Sequence, residues 1–442
     1  MTTPAHPPKP LRTVGLLGTA LLPLNGMIGA GIFALPATLY LAVGEFAPWM
    51  LLLGGLLFLP LIVVFAALAR QFDHSGGPAL YGNAAFGPFL GFQAGWTRYA
   101  SSVGTIAANA HVVITYAATL WPGLDGPVAR PVAVALFLVF FVAVNLTGMN
   151  RAVGTLGLVT AIKLAPLAAL IGAGFAQGAL DPGPELGLVL PRFSDAEAVV
   201  LLTFYAFTGF ENGVIAAGEM KRPRRDIPLA LIGTLALTTL LYMAIVWAYL
   251  AIVRDPATGG EMALAVAADE AFGRLGTLAI VIAAAFSVGG NTLNSMINTA
   301  RLSYGMAEMR MLPGWFRHVS PRFLTPDVSI VFLGACSIAF SLTGGFVILS
   351  TAATLSRLMT YLICSAAVPV LRWRGGRTSG ADIGWIELAM AALAFAVSVW
   401  VATHTDMRAW LTLGAILVVG TGLYLMARRR PRIEQPDAGE VS

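Results

Sequence analysis

The sequence predicts an all-α membrane protein with about twelve transmembrane helices, and three observations carry that expectation. The chain of 442 residues is 57% hydrophobic and 11% charged, whereas an ordinary soluble domain carries about 25% charged residues. Apolar stretches of about 20 residues recur from one end to the other, each long enough to cross a hydrocarbon core of about 30 Å. The basic residues collect in alternate loops, as the positive-inside rule demands of a multi-pass protein.

Composition sets further bounds. The net charge of +5 is spread among short loops rather than gathered on one face, so it reports topology and does not point to nucleic acid. Cys336 and Cys364 both fall in apolar segments and imply packing, not a disulfide framework. There is no phosphate-binding loop of the G-x-x-x-x-G-K type, no H-E-x-x-H helix and no cluster of His, Cys and carboxylates at ligand spacing. Nucleotide-driven transport, a metalloenzyme and a bound cofactor are therefore not expected.

Apolar runs, read against Gly, Pro and charge punctuation, place the starts of spans one to six near Thr13, Glu45, Pro88, Ala129, Gly154 and Ala196. Spans seven to twelve start near Ile227, Leu275, Asp327, Phe346, Ile383 and Met407. With the N-terminus inside, the cytoplasmic loops collect Arg70, Lys221, Arg222, Arg224, Arg225, Arg310, Arg317 and Arg322, while the opposite side keeps Arg130, Arg192, Arg254, Arg274 and Arg408. Both termini are thus expected in the cytoplasm and the protein in the cell membrane. Residues 1–12 read as a cytoplasmic segment, 13–427 as the membrane domain and 428–442 as a disordered tail.

Span one, from Val14 to Ala42, is too long for a secretory signal core and reads as a retained helix. It contains Gly26, Gly29 and Gly31, each unfavourable in a helix by roughly 1 kcal/mol relative to Ala. Span three carries His111, which reads as a packing histidine, and Arg98, which lies toward the cytoplasmic end and can snorkel or pair.

In span five Lys163 sits between Ile162 and Leu164, where a cation costs roughly 2.5 to 3.5 kcal/mol. It reads as a proton-exchanging group, since burial disfavours the charged form, or as a charged strut against span one, or as a snorkelling side chain. Span six repeats the peculiarity of span one with Gly209 and Glu211 at similar depth. Glu211 reads as a gate or helix-end cap, or as a proton carrier. Arg357 in span ten calls for an acidic partner that the sequence does not name.

Glycines in a membrane helix can serve close helix packing alone. Interruptions at matching places in two halves, one with a buried carboxylate, instead point to an inverted-repeat transporter with its site at the midplane. Unwinding frees backbone groups that lipid cannot satisfy, so such segments survive where they line a cavity. Amides near Ala30, Gly31 and Ile32 sit at a positive helix end and suit a carboxylate. Carbonyls near Met27 suit an ammonium, and an α-amino acid carries both groups.

The chain resembles the amino acid-polyamine-organocation (APC) permeases along nearly its whole length. The likeness rests on GAGIFALP from Gly29 to Pro36, on SGGPALYGNAAFGPFLGFQAGW from Ser75 to Trp96 and on FTGFENGVIAAGEMKRPRRDIPLA from Phe207 to Ala230. Arg301, Tyr304, Met306 and Ala307 before Leu312-Pro313 add to it. The resemblance implies a five-plus-five inverted-repeat (LeuT-like) fold with broken helices 1 and 6. Residues 13–178 and 196–372 would be the repeats, with 383–427 supplying helices 11 and 12.

It further implies that the carboxylate meets the amides of Ala30 and Gly31 within the Met27-Ile28-Gly29-Ala30-Gly31-Ile32 break. The ammonium meets carbonyls of Met27, Tyr205 and Thr208 beside Gly209. Phe207 and Phe210 are gate or wall, Asn291 faces the substrate side chain, and Lys163 stands where sodium-coupled relatives hold a cation. The implied function is secondary transport of an amino acid by alternating access, as proton symport or, alternatively, as amino acid or polyamine exchange. The absence of an acidic group in the inferred side-chain pocket favours a neutral substrate. A channel or receptor is the competing class, and an enzyme is disfavoured for want of a catalytic constellation. The partners expected are the amino acid, the bilayer and protons, with no oligomeric state legible.

Overall fold

The structure is a computed structural model and describes residues 14–72, 77–147, 153–177, 189–215, 220–374, 383–405 and 407–428. The expected cytoplasmic segment 1–12 and the tail beyond Arg428 lie outside them. Among the described residues the chain is all helical, with one isolated backbone bridge between Val14 and Met220.

In chain order the helices are α1 (Leu16–Met27), α2 (Ala30–Val43), α3 (Ala47–Gln71), α4 (Gly77–Phe86), α5 (Pro88–Ala118), α6 (Ala129–Leu146), α7 (Val153–Ala176) and α8 (Phe193–Phe207). There follow α9 (Asn212–Ile215), α10 (Pro223–Ile252), α11 (Ala263–Glu308), α12 (Asp327–Ser341), α13 (Phe346–Trp373), α14 (Trp385–Thr403) and α15 (Met407–Arg428). Eight helical stretches among the described residues are long and apolar enough to cross a membrane, and three shorter apolar helices accompany them.

The helix starts fall close to the expected ones, with one informative departure. The eighth span is expected near Leu275, but α11 already begins at Ala263 and is interrupted at Gly273, with φ 63° and ψ −157°. Only glycine enters that conformation cheaply, so a separate short helix precedes the span.

α5 is absent from the eight although its 31 residues are ample for a crossing. Gln93, Thr97, Arg98, Ser101, Ser102, Thr105, Asn109 and His111 lower its apolarity, and all are buried. This helix packs along α13 and α11, with its polar groups turned to protein and not to lipid. Its start at Pro88 is nevertheless the one expected for span three.

Both expected interruptions are present. α1 stops at Met27; Ile28 (φ −76°, ψ 86°) and Gly29 (φ −126°, ψ −142°) leave the helical region before α2 begins. α8 stops at Phe207, Thr208 is extended (φ −72°, ψ 156°), and Gly209 has φ 105°. The breaks meet back to back: a Cβ on Gly26 would strike the Gly209 carbonyl oxygen, and a Cβ on Gly209 would strike that of Gly26. Gly26 and Gly209 therefore let two backbones touch.

Gly209→Ala is expected to lower stability by about 1 to 3 kcal/mol, because it adds backbone strain to the collision. Thermal unfolding of the purified variant in detergent measures this, and an unchanged melting temperature would contradict the close approach.

Candidate functional site

The α1–α2 break exposes four successive carbonyls, and side chains from three other helices take them up. Asn291 Nδ2 on α11 donates to the oxygens of Asn25 (3.0 Å) and Gly26 (2.6 Å). Tyr242 Oη on α10 donates to Met27 O at 2.7 Å. Lys163 Nζ on α7 and Ser287 Oγ on α11 both donate to Ile28 O at 3.2 Å. Unwound backbone in a membrane protein requires such replacement partners, and they hold the break in a defined shape.

On the other side of Gly29, α2 begins with no side-chain cap. The first amides of a helix lack intrahelical acceptors and carry the positive end of its dipole. Ala30, Gly31 and Ile32 occupy that first turn.

Between the two breaks lies a cavity of about 20 Å³ lined by Gly26, Met27, Gly29, Ala30, Gly31, Tyr205, Thr208 and Gly209. Its remaining wall is Arg98, Thr105 and Asn109 of α5, Asn291 and Ser295 of α11, and Arg357 of α13. That volume suits about one water molecule, so any larger solute would fit only when the walls separate.

The expected site residues are sorted by this geometry. Met27, Gly29, Ala30, Gly31, Tyr205, Thr208, Gly209 and Asn291 come together on the cavity. Ile28 and Ile32 are buried in the core instead. Phe207 packs on Tyr242 at 5.7 Å between ring centroids, and Phe210 lies in an aromatic cluster with Phe58, Phe65 and Tyr361. The carbonyls of Met27 and Tyr205 already accept two hydrogen bonds each, from Tyr242 and Gly29 and from the amide and hydroxyl of Thr208. An ammonium docking there would have to share or displace them.

The buried charges find definite places. Lys163 is fully buried behind the first break, away from the cavity wall. Glu211 Oε1 stands 3.1 Å from Arg98 Nε and 3.3 Å from Arg357 Nη1, and its Oε2 accepts the Gly209 amide at 3.0 Å. Arg98 is 2% exposed and does not snorkel, and Arg357 has its acidic partner in Glu211. His111 Nε2 is within hydrogen-bond distance of Ser341 O at 2.9 Å, in keeping with a packing histidine.

Thr105, Asn109 and Ser295 had no signal of their own in the sequence beyond lying in polar stretches of apolar-flanked helices. Arg98 and Arg357 did, as cations inside spans. They place positive charge on the cavity wall.

The profile of the amino acid permeases matches residues 14–406, and the chain belongs to that family. An uncharacterized transporter of Mycobacterium tuberculosis is 29% identical over 437 residues, covering 97% of this chain and 94% of the relative. A serine/threonine exchanger of Bacillus subtilis is 28% identical over 420 residues, covering 92% of this chain and 94% of the relative. The protein is thus a multi-pass transporter of the amino acid permease class, not an enzyme.

Removing one member of a buried ion-pair network leaves uncompensated charge and costs about 3 to 5 kcal/mol. Glu211→Gln should destabilise the protein by that order. Asp125→Asn, which breaks the solvent-exposed pair with Arg130, should cost about 0 to 1 kcal/mol. Equal thermal shifts for the two variants would remove the basis for treating Glu211 as the hub of the site's charges.

Proposed function

We propose that the protein carries out secondary active transport of an α-amino acid by alternating access. The observation that supports this most is the single cavity formed by backbone from both helix breaks, with uncapped amides at one end of it. In this reading the α-carboxylate binds the amides of Ala30 and Gly31. The ammonium binds carbonyls of the opposing break around Tyr205 and Thr208. The proposal includes twelve spans in a five-plus-five inverted repeat, 13–178 and 196–372, with 383–427 appended and both termini in the cytoplasm of a cell-membrane protein.

Coupling to protons is assigned to Lys163. Its ammonium makes a charge-assisted hydrogen bond to Ile28 O, and loss of the proton would weaken that hold on the break. A group that tightens or loosens the binding segment according to its protonation links proton binding to solute binding. The second reading is uncoupled exchange with Lys163 as a permanent strut, favoured by the relative named a serine/threonine exchanger.

Purified protein in proteoliposomes should accumulate a radiolabelled amino acid saturably, and an inward proton gradient should stimulate uptake into vesicles lacking internal amino acid. Lys163→Ala should abolish that stimulation. Stimulation of wild-type size in the variant would exclude Lys163 as the coupling group, and uptake that needs internal amino acid whatever the gradient would favour exchange. Conduction without saturation would identify a channel.

A further inference from the structure

The side-chain end of the cavity carries more positive than negative charge. Arg98 and Arg357 line it and are 2% and 3% exposed, and Lys163 stands behind the first break with no exposure. Against the two arginines on the wall the breaks offer one buried carboxylate, Glu211. Asp226, the other buried carboxylate among the described residues, sits in the first turn of α10.

Glu211 does not exhaust the guanidiniums. One of its oxygens accepts the Gly209 amide, and the other faces both arginines at ion-pair distance without hydrogen-bond alignment. Arg98 donates to Ser102 and Asn212, and Arg357 to Ser101 and Thr105. Each guanidinium has five N–H donors; Arg98 Nε and Arg357 Nη1 face Glu211, and with the contacts just named the protein's acceptors take up three of the five on each. The hydroxyl of Tyr205, on the same cavity, is without a hydrogen-bond partner.

An excess buried cation with unspent donors is costly, and a carboxylate is the ligand whose charge and paired oxygens match a guanidinium. We propose that the transported amino acid bears a second carboxylate on its side chain, and that Arg98 and Arg357 form the subsite for it. The inference rests on the amino acid reading of the cavity, which places the α-carboxylate at the amides of α2 and so leaves the arginine wall to the side chain. Thr105, Asn109 and Ser295 on the same wall could pair with a hydroxyl side chain, but a hydroxyl would not neutralise the arginines. An inorganic anion such as chloride, bound beside a neutral amino acid, is the rival source of negative charge.

The discriminating comparison uses pairs of equal size that differ in charge. Equilibrium binding of radiolabelled L-glutamate, L-aspartate, L-glutamine, L-asparagine and L-serine to the purified full-length protein is measured in chloride and again in gluconate. At least one acid should bind about tenfold or more tightly than its amide in both media, and Arg357→Gln should bring that ratio to about one. Because the acid–amide comparison is made on the unaltered protein, a variant that fails to fold leaves the test intact.

Amides or serine binding as tightly as the acids would overturn the acidic-substrate proposal and leave amino acid transport standing. Chloride-dependent binding of neutral amino acids alone would overturn it in favour of the inorganic anion. No binding of any of the five would count against the proposal, and uptake of other amino acids in proteoliposomes then decides whether the cavity reading fails with it.

Discussion

Everything at the centre of this protein depends on how a backbone without helical hydrogen bonds survives inside a membrane. At the first break the carbonyls of Asn25, Gly26, Met27 and Ile28 lose their in-helix partners and gain Asn291, Tyr242, Lys163 and Ser287. Those side chains come from α11, α10 and α7. Because lipid offers no replacement donors, the three helices are held to the break as much as the break is held to them. The amides at the start of α2 receive no such side-chain cap, and this asymmetry is what suits the segment to the anion-binding role proposed for it.

The second break is held differently. Gly209 lies against Gly26 backbone to backbone, and its amide is taken by Glu211, two residues along the same chain. Glu211 in turn faces Arg98 on α5 and Arg357 on α13. A carboxylate that caps a break and also joins two other helices ties the shape of the binding segment to the positions of its neighbours. Alternating access requires bodies that move against one another around a fixed site, and contacts of this kind have to be remade when they do. Arg98 further reaches Asn212 at the head of α9, which extends the connection beyond the break itself.

Much of the fold was legible because it is written locally. The glycines at 29 and 31, followed by an apolar run to Val43, mark an interrupted helix, and Gly209 beside Glu211 marks another. Helices such as α6, α10, α13 and α15 announce themselves by continuous apolarity. α5 is less apolar because of its buried polar residues, yet its start at Pro88 was also legible, from the apolar run and the Gly-Pro punctuation before it. Within the site, the backbone positions of the breaks were visible, whereas Thr105, Asn109 and Ser295 were not. Polar residues of ordinary type show their purpose only by what they face. Phe207 and Phe210 illustrate the converse, since their place beside the break suggested the cavity but their rings turn into an aromatic cluster around Phe58 and Tyr361.

The sequence by itself therefore determined that the protein crosses the membrane many times, where its helices break, and that cations lie buried within the spans. These are properties of composition and of residues near one another in the chain. Only the tertiary structure decided that Arg357 and Arg98 share Glu211, that Lys163 holds the carbonyl of Ile28, and that two arginines line the cavity wall. Lys163 and Ile28 are 135 positions apart, and Arg357 and its partner Ser101 are 256 apart. Helix periodicity tells which side of its own helix a residue occupies, but the packing of α5, α11 and α13 around the breaks settles which charge it meets.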